Sequence, residues 1–126
     1  MGRIALIAIF AVLCLTGCGA QSLFTVQKTQ ACLASENARI GGRLDFVATT
    51  ATGGAFVATL SDNTVTVVFG AKESDAAEIT QAYQRFAFPN VKANIQDVLE
   101  RYKNAVLLWH THPASADLAL VTGCLK

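Results

Sequence analysis

The sequence predicts an α+β domain: an antiparallel sheet of about three to five strands, two or three helices packed on it, and one disulfide. Three observations carry that expectation. Ala55–Leu60 and Thr64–Phe69 are β-rich runs on either side of Ser61-Asp62-Asn63, the pattern of a hairpin. Apolar residues recur at helical spacing after Thr25, after Ser74 and after Ser115. Four cysteines are present in a chain of 126 residues, a length that suits one domain. The chain is 52% hydrophobic and 15% charged, against roughly 25% charged in an average soluble chain. That composition excludes an intrinsically disordered protein.

Residues 1–17 read as a leader. A single basic residue, Arg3, precedes the unbroken apolar run Ile4–Leu15. A membrane-spanning helix needs about 20 apolar residues, so this run is short for one. A basic start, an apolar core of about 7–15 residues and then small residues form the layout of a secretory signal peptide. The run closes on Leu15-Thr16-Gly17-Cys18. This tetrapeptide resembles the lipobox of bacterial lipoproteins, an aliphatic residue and two small ones before a cysteine. The resemblance implies that Cys18 carries a thioether-linked diacylglycerol and becomes the mature N-terminus. Two or more acyl chains hold a protein stably at a bilayer, so the expected state is anchored and not spanning. Gly19–Phe24 is the expected tether, reaching at most about 20 Å.

On that reading Cys14 leaves with the leader and Cys18 is consumed by lipid. Cys32 and Cys124 remain, in an oxidising compartment, and two thiols allow only one intramolecular bridge. Ten basic residues face nine acidic ones, and the leader removes only Arg3, so the mature chain is close to neutral. No run of Lys and Arg suggests nucleic acid or anionic lipid as a partner. Attachment is expected from acyl chains rather than from a basic patch.

The remaining elements follow in order. Thr25–Ala38 fits a helix with Val26, Thr29, Leu33 and Asn37 or Ile40 on its apolar side, stopped by Gly41-Gly42. Arg43–Thr50 alternates Leu44, Phe46 and Ala48 against Asp45, Val47 and Thr49, which predicts a strand. Gly53-Gly54 is a turn. In the hairpin that follows, Phe56, Ala58 and Leu60 share a face on which Val65, Val67 and Phe69 can pair with them. Ser74 is a candidate helix cap, with Asp75 and Glu78 in the first turn and Arg85 near the end. Ile79, Tyr83 and Phe86 form the expected buried stripe of that helix. Tyr83 and Phe86 as an aromatic binding platform is the rival reading, and core packing is preferred at this spacing. Phe88-Pro89-Asn90 breaks the helix.

Ile95–Tyr102 fits either a short helix or the first strand of a hairpin turning at Lys103-Asn104, with Asn tolerating positive φ. The hairpin is the preferred reading. Ala105–Trp109 is an interior-like strand on both. The last helix runs from Ser115 to about Leu125 and buries Leu118, Val121 and Leu125. The helices are expected on one face of the sheet.

The candidate chemistry lies in Trp109–Pro113 (WHTHP). His110 and His112 share a face if the strand continues, neutral imidazoles are zinc ligands, and Asp117 could supply a third. The stretch resembles the metal-binding segment of JAMM-type zinc isopeptidases and peptidases, and that resemblance implies His110 and His112 as ligands. The family's Ser-x-x-Asp comes later in its chains and with wider spacing than Ser115-Ala116-Asp117. Its upstream catalytic Glu has no counterpart. A solvated turn explains both histidines and is the preferred reading, and Asp117 suits the first turn of a helix. No phosphate loop, nucleophile elbow or dinucleotide fingerprint occurs. The carboxylate pairs Asp75/Glu78 and Asp97/Glu100 read as solvated helix faces.

These readings imply no catalytic residue and no cofactor. They lead to a membrane-anchored bacterial lipoprotein of the cell envelope, held by its lipid and facing the extracytoplasmic side. Its expected role is non-catalytic, binding or structural, with an envelope protein near the membrane as the candidate partner. The alternatives are a metal-binding or zinc-dependent hydrolase lipoprotein using His110 and His112, and a lipoprotein that blocks an envelope receptor or channel.

Overall fold

The computed structural model describes residues 22–126. The expected leader 1–17, the expected lipidation site Cys18 and the first residues of the expected tether lie outside the described residues. The architecture is α+β: one five-stranded, fully antiparallel sheet with the strand order β1-β2-β3-β5-β4. Its strands are β1 (Arg39–Ile40), β2 (Ala55–Thr59), β3 (Thr64–Phe69), β4 (Leu99–Tyr102) and β5 (Ala105–Trp109). Six helices among the described residues pack on it: α1 (Val26–Ser35), α2 (Phe46–Thr49), α3 (Asp75–Phe86), α4 (Pro89–Lys92), α5 (Ile95–Val98) and α6 (Ser115–Cys124). No described helix is long and apolar enough to cross a membrane.

The β2–β3 hairpin forms in the expected register, with Phe56 opposite Val67 and Ala58 opposite Val65. These side chains, with Phe69, Ala105, Leu107 and Trp109, make one face of the sheet, and they bury themselves against Leu33 of α1 and Val121 of α6. Val68 and Val106 alternate to the other face. There they pack with Val47 and Ala48 of α2 and with Ala76, Ile79 and Tyr83 of α3. The helices therefore cover both faces, not one. The central strands β3 and β5 are apolar at successive positions, so each face excludes water only if it has its own helical layer.

Arg43–Thr50 is not a strand. Gly41 and Gly42, at φ 124° and 145°, take a left-handed backbone that favours glycine and turn the chain out of the sheet after β1. The Asp45 side chain then accepts the Ala48 N–H at 2.8 Å and starts α2. The cap lies within the segment itself, and it outweighs the alternation. Val47 and Ala48 go inward and Phe46 goes out, 70% exposed. Those same glycines do not stop α1. Asn37, at φ 66°, ends it in the left-handed region as the Ala38 N–H reaches back to the Leu33 carbonyl at 3.0 Å.

Three further expectations change in detail. Ser74 makes no side-chain cap; Asp75 instead accepts from the Lys72 N–H at 3.2 Å and from the Thr52 hydroxyl at 2.9 Å. The Ile95–Tyr102 segment is divided between the two readings, one helical turn followed by β4. In the β4–β5 turn Lys103 takes the positive φ, 54°, and Asn104 does something else. Its side chain is fully buried. The side-chain carbonyl accepts the Phe24 N–H at 2.9 Å, and the amide donates to the Phe24 carbonyl at 2.9 Å and the Gly70 carbonyl at 3.0 Å. The last part of the expected tether is thus docked on the domain.

The two ends of the domain are stapled beside that clasp. Thr25 N–H donates to the Lys126 carbonyl at 2.7 Å, and buried Thr29 exchanges hydrogen bonds with the Lys126 backbone at 3.3 and 3.4 Å. Cys32 and Cys124 form the disulfide, Cα–Cα 5.4 Å, tying α1 to α6. Val121, Cys124 and Leu125 are buried at this seam, while Leu118 is only half-buried.

Candidate functional site

The histidines come to one place and the third expected ligand does not. The His110 N–H donates to the Thr64 carbonyl at 2.8 Å, extending the β3–β5 ladder by one residue. Asn63 then pins the next residue: its amide donates to the Thr111 carbonyl at 3.0 Å and its side-chain oxygen accepts the Thr111 N–H at 3.2 Å. His110 and His112 emerge exposed on either side of that pin. They line an open groove of about 350 Å³ with Asn94 and Asp97. The ring Nδ1 of His112 lies 3.2 Å from the backbone carbonyl of Asp97. Asp117 lines a different groove, with Glu36, Arg39 and Ser61. A zinc site needs at least three protein ligands. Among the described residues no group of three His, Cys, Asp or Glu side chains could hold a metal ion. The helix that carries Asp117 begins after Pro113, which turns the chain away from the histidine groove.

A second concavity has a different character. It is a small apolar cleft of about 80 Å³ between α2, the end of α3, α4 and the sheet, floored by Leu108 and walled by Phe46, Tyr83, Phe86, Phe88 and Val91. Its geometry builds up from Asp45. The carboxylate that caps α2 also accepts the Tyr83 hydroxyl, at 2.9 and 3.1 Å to its two oxygens. This joins α2 to α3 and fixes where Phe46 stands. Phe46 and Phe86 meet edge to face, ring centroids 6.3 Å apart at 77°. The Arg85 guanidinium lies 5.9 Å from the Phe86 ring centre. Ala87 turns extended, at φ −63° and ψ 150°, and Phe88, preceding Pro89, is extended too, at ψ 148°. The chain leaves the helix axis there and carries Phe88 into solvent.

Phe86 does not join the buried stripe with Ile79 and Tyr83. Phe46, Phe86 and Phe88 are 70%, 59% and 72% exposed, and they are the large apolar side chains that the domain leaves in water. Tyr83, a helical turn before, is buried. The core-packing reading thus holds for Tyr83 and fails for Phe86, which lies on the surface above it. Phe46 and Phe88 carried no signal as site residues in the chain. Asp45 three residues before Ala48 and the Phe88-Pro89 pair are the local cues that could have found them.

Burial, and after it the Asp45 carboxylate, pushes the Tyr83 hydroxyl far above the ordinary tyrosine range. Burial and the Glu100 carboxylate push Tyr102 up to about 12. A group whose folded pKa is raised binds its proton more tightly folded than unfolded. Its stabilising contribution is complete below about pH 10 and is lost as pH rises through the folded value. Stability should therefore fall between about pH 10 and 12. The fall should be shallower in Tyr83→Phe and shallower still in Tyr83→Phe/Tyr102→Phe, as urea unfolding at pH 8, 10 and 11.5 will measure. Equal slopes in all three proteins would rule out these tyrosines as the cause.

Comparison with protein families, with characterised proteins and with solved structures finds no match to this chain.

Proposed function

We propose that this chain is a lipid-anchored protein of the bacterial cell envelope whose role is binding, exercised through the cleft of Phe46, Phe86 and Phe88. The observation that carries the binding role is three phenylalanines left more than half exposed around one small apolar hole. Solvated aromatic rings that converge on a cavity are what an interface core looks like before its partner arrives. The hole is smaller than the roughly 150 Å³ that admits benzene, so it suits one aliphatic side-chain end from a partner rather than a free ligand. The three rings would then cover that residue and exclude water from it. The anchor is supported by the leader pattern, Arg3 followed by Ile4–Leu15 and Leu15-Thr16-Gly17-Cys18. The favoured partner is accordingly an envelope protein at or near the membrane surface.

Two tests follow, one for each half of the reading. Cys18→Ala protein should leave the membrane fraction or stay uncleaved, and unchanged processing and partitioning would remove the anchor. A photo-crosslinking aromatic residue at position 88 should yield one discrete adduct in intact cells, and the same residue at position 84, further up α3, should yield none. Phe46→Ser/Phe86→Ser should abolish the adduct while changing stability by less than about 1 kcal/mol, because the rings are already solvated. Equal adduct from both positions, or an adduct indifferent to Phe46 and Phe86, would defeat the proposed binding face.

A further inference from the structure

We propose that the partner of the aromatic cleft is a second copy of this chain, docked about a two-fold axis that crosses the paired helices α2 and α3. The inference rests on the binding reading of that cleft and names its occupant. The two helices lie side by side on one face of the sheet, α2 over β2 and β3, α3 over β3, β5 and β4. They run in opposite directions. Phe46, at the start of α2, meets Phe86 at the end of α3. Thr52, beyond the end of α2, donates its hydroxyl to Asp75 at the start of α3, at 2.9 Å.

This pair of helices carries a ridge at one end and a socket at the other. The ridge is Phe46, Phe86 and Phe88, each more than half exposed. The socket is an open groove of about 170 Å³ between the helices at the start of α3, lined by Val47, Thr50, Ala51, Glu78 and Ala82. It exceeds the roughly 150 Å³ that admits benzene, so it takes a phenyl ring where the cleft itself does not. The hydroxyl of exposed Thr50 donates to the Val47 carbonyl at 3.0 Å, which leaves its methyl as an aliphatic end of the size the cleft suits. A ridge and a socket at opposite ends of one helix are complementary to a copy of themselves turned by 180°. Each Phe86 would then enter the groove of the other copy.

Charge fits the same arrangement. Exposed Glu78 and Arg85 border one shallow depression on α3 with half-buried Ala82. They are seven residues apart, about 10.5 Å along the helix, too far to pair with each other. Their midpoint falls between Gln81 and Ala82. Antiparallel packing of two α3 helices about that point sets Glu78 of each copy against Arg85 of the other, and the small Ala82 side chain lets the helices approach. The other charges of this face follow the same polarity by position. Arg43, Arg85 and Lys92 outnumber Asp45 at the cleft end, and Glu73, Asp75 and Glu78 outnumber Lys72 at the groove end. Arg101, on β4, lies across α3 from α2 and outside the face.

The area suits a contact that needs help from confinement. The three rings leave about 400 Å² of apolar surface in water, at roughly 200 Å² for a whole phenylalanine. That is about half of the roughly 800 Å² that each side of a standard interface buries, and the groove walls and the exposed side of α3 add to it. Two copies held on one membrane by the proposed anchor would meet at a raised effective concentration.

Photo-crosslinking of the full chain in intact cells tests this, with the crosslinking residue at position 88 and two copies carrying different epitope tags. The adduct should carry both tags, and peptide mapping should join position 88 to segment 47–52 or 75–82 of the other copy. Glu78→Arg alone and Arg85→Glu alone should each lower the adduct yield about tenfold, because two like-charge contacts replace two attractive ones. Both residues are exposed, so these variants keep the fold. Co-expression of a Glu78→Arg copy with an Arg85→Glu copy should restore the adduct, since both contacts are then between opposite charges. A discrete adduct with one tag, at a mass other than twice the chain, overturns the second copy and leaves the cleft as a binding face for another protein. A two-tag adduct that neither single variant weakens, or that the co-expressed pair does not restore, overturns the α3 pairing. No adduct overturns the binding reading and this inference with it.

Discussion

Replacing Cys32 and Cys124 by alanine should lower the unfolding free energy by about 2–4 kcal/mol, the usual worth of a native bridge across a long loop. The two cysteines are 92 residues apart, so in the oxidised unfolded chain the bridge closes almost the entire domain into one loop. The chain-entropy upper bound for a loop of that length is about 4–5 kcal/mol. Native-state packing adds to it, because Cys124 is buried against the core and alanine leaves part of its volume empty. A domain of this size has roughly 5–15 kcal/mol of net stability, so the loss removes a large share of it. Urea unfolding of the oxidised protein against the double variant measures the effect, with a Tm fall of more than about 10 °C expected alongside. A difference below about 1 kcal/mol would show that the α1–α6 seam holds without the covalent link.

Asn104→Ala should cost about 2–4 kcal/mol with the disulfide intact. The substitution removes three hydrogen bonds at once and strands the Phe24 N–H, the Phe24 carbonyl and the Gly70 carbonyl. An unsatisfied buried polar group costs about 1–3 kcal/mol. Phe24 is only partly buried, so water recovers some of its share, which sets the total below the simple sum. The loss should be local as well as global: amide exchange at Phe24 and Gly70 should accelerate more than exchange at Val67 or Leu107 in the core strands. A variant with unchanged stability and unchanged exchange at Phe24 would show that Asn104 serves only the turn.

Much of the fold is legible in the chain where a signal is local. The β2–β3 register follows from two β-rich runs of matched length on either side of the turn residues Ser61-Asp62-Asn63. The start of α3 follows from acids in its first turn, and the Cys32–Cys124 pairing from the expectation that Cys14 and Cys18 are withdrawn with the leader and the lipid. Errors arise where two local signals compete. Arg43–Thr50 alternates like a strand, yet Asp45 offers the backbone a helical cap, and the sheet edge beside β2 is already taken by Arg39–Ile40. Asn104 reads as a residue tolerant of positive φ, while Lys103 bears that conformation and Asn104 is kept for its side chain.

The candidate sites are less legible, because a site is a convergence of distant residues. WHTHP places two histidines together by spacing alone, and nothing in the spacing says that Asp117 will open onto another groove. The periodicity of α3 assigns Ile79, Tyr83 and Phe86 to one stripe. Whether the last of them is covered depends on whether a neighbour reaches past the end of the helix, and the break at Phe88-Pro89 leaves it uncovered.

The sequence by itself determines what depends on neighbours along the chain: the hairpin and the principal helices. Only the tertiary structure decides which faces are covered and which distant groups meet. Helices on both sides of the sheet, the three exposed phenylalanines and the Asn104 clasp on Phe24 all depend on contacts between segments many tens of residues apart. Periodicity reports which side of an element is apolar, and topology alone reports what lies opposite that side.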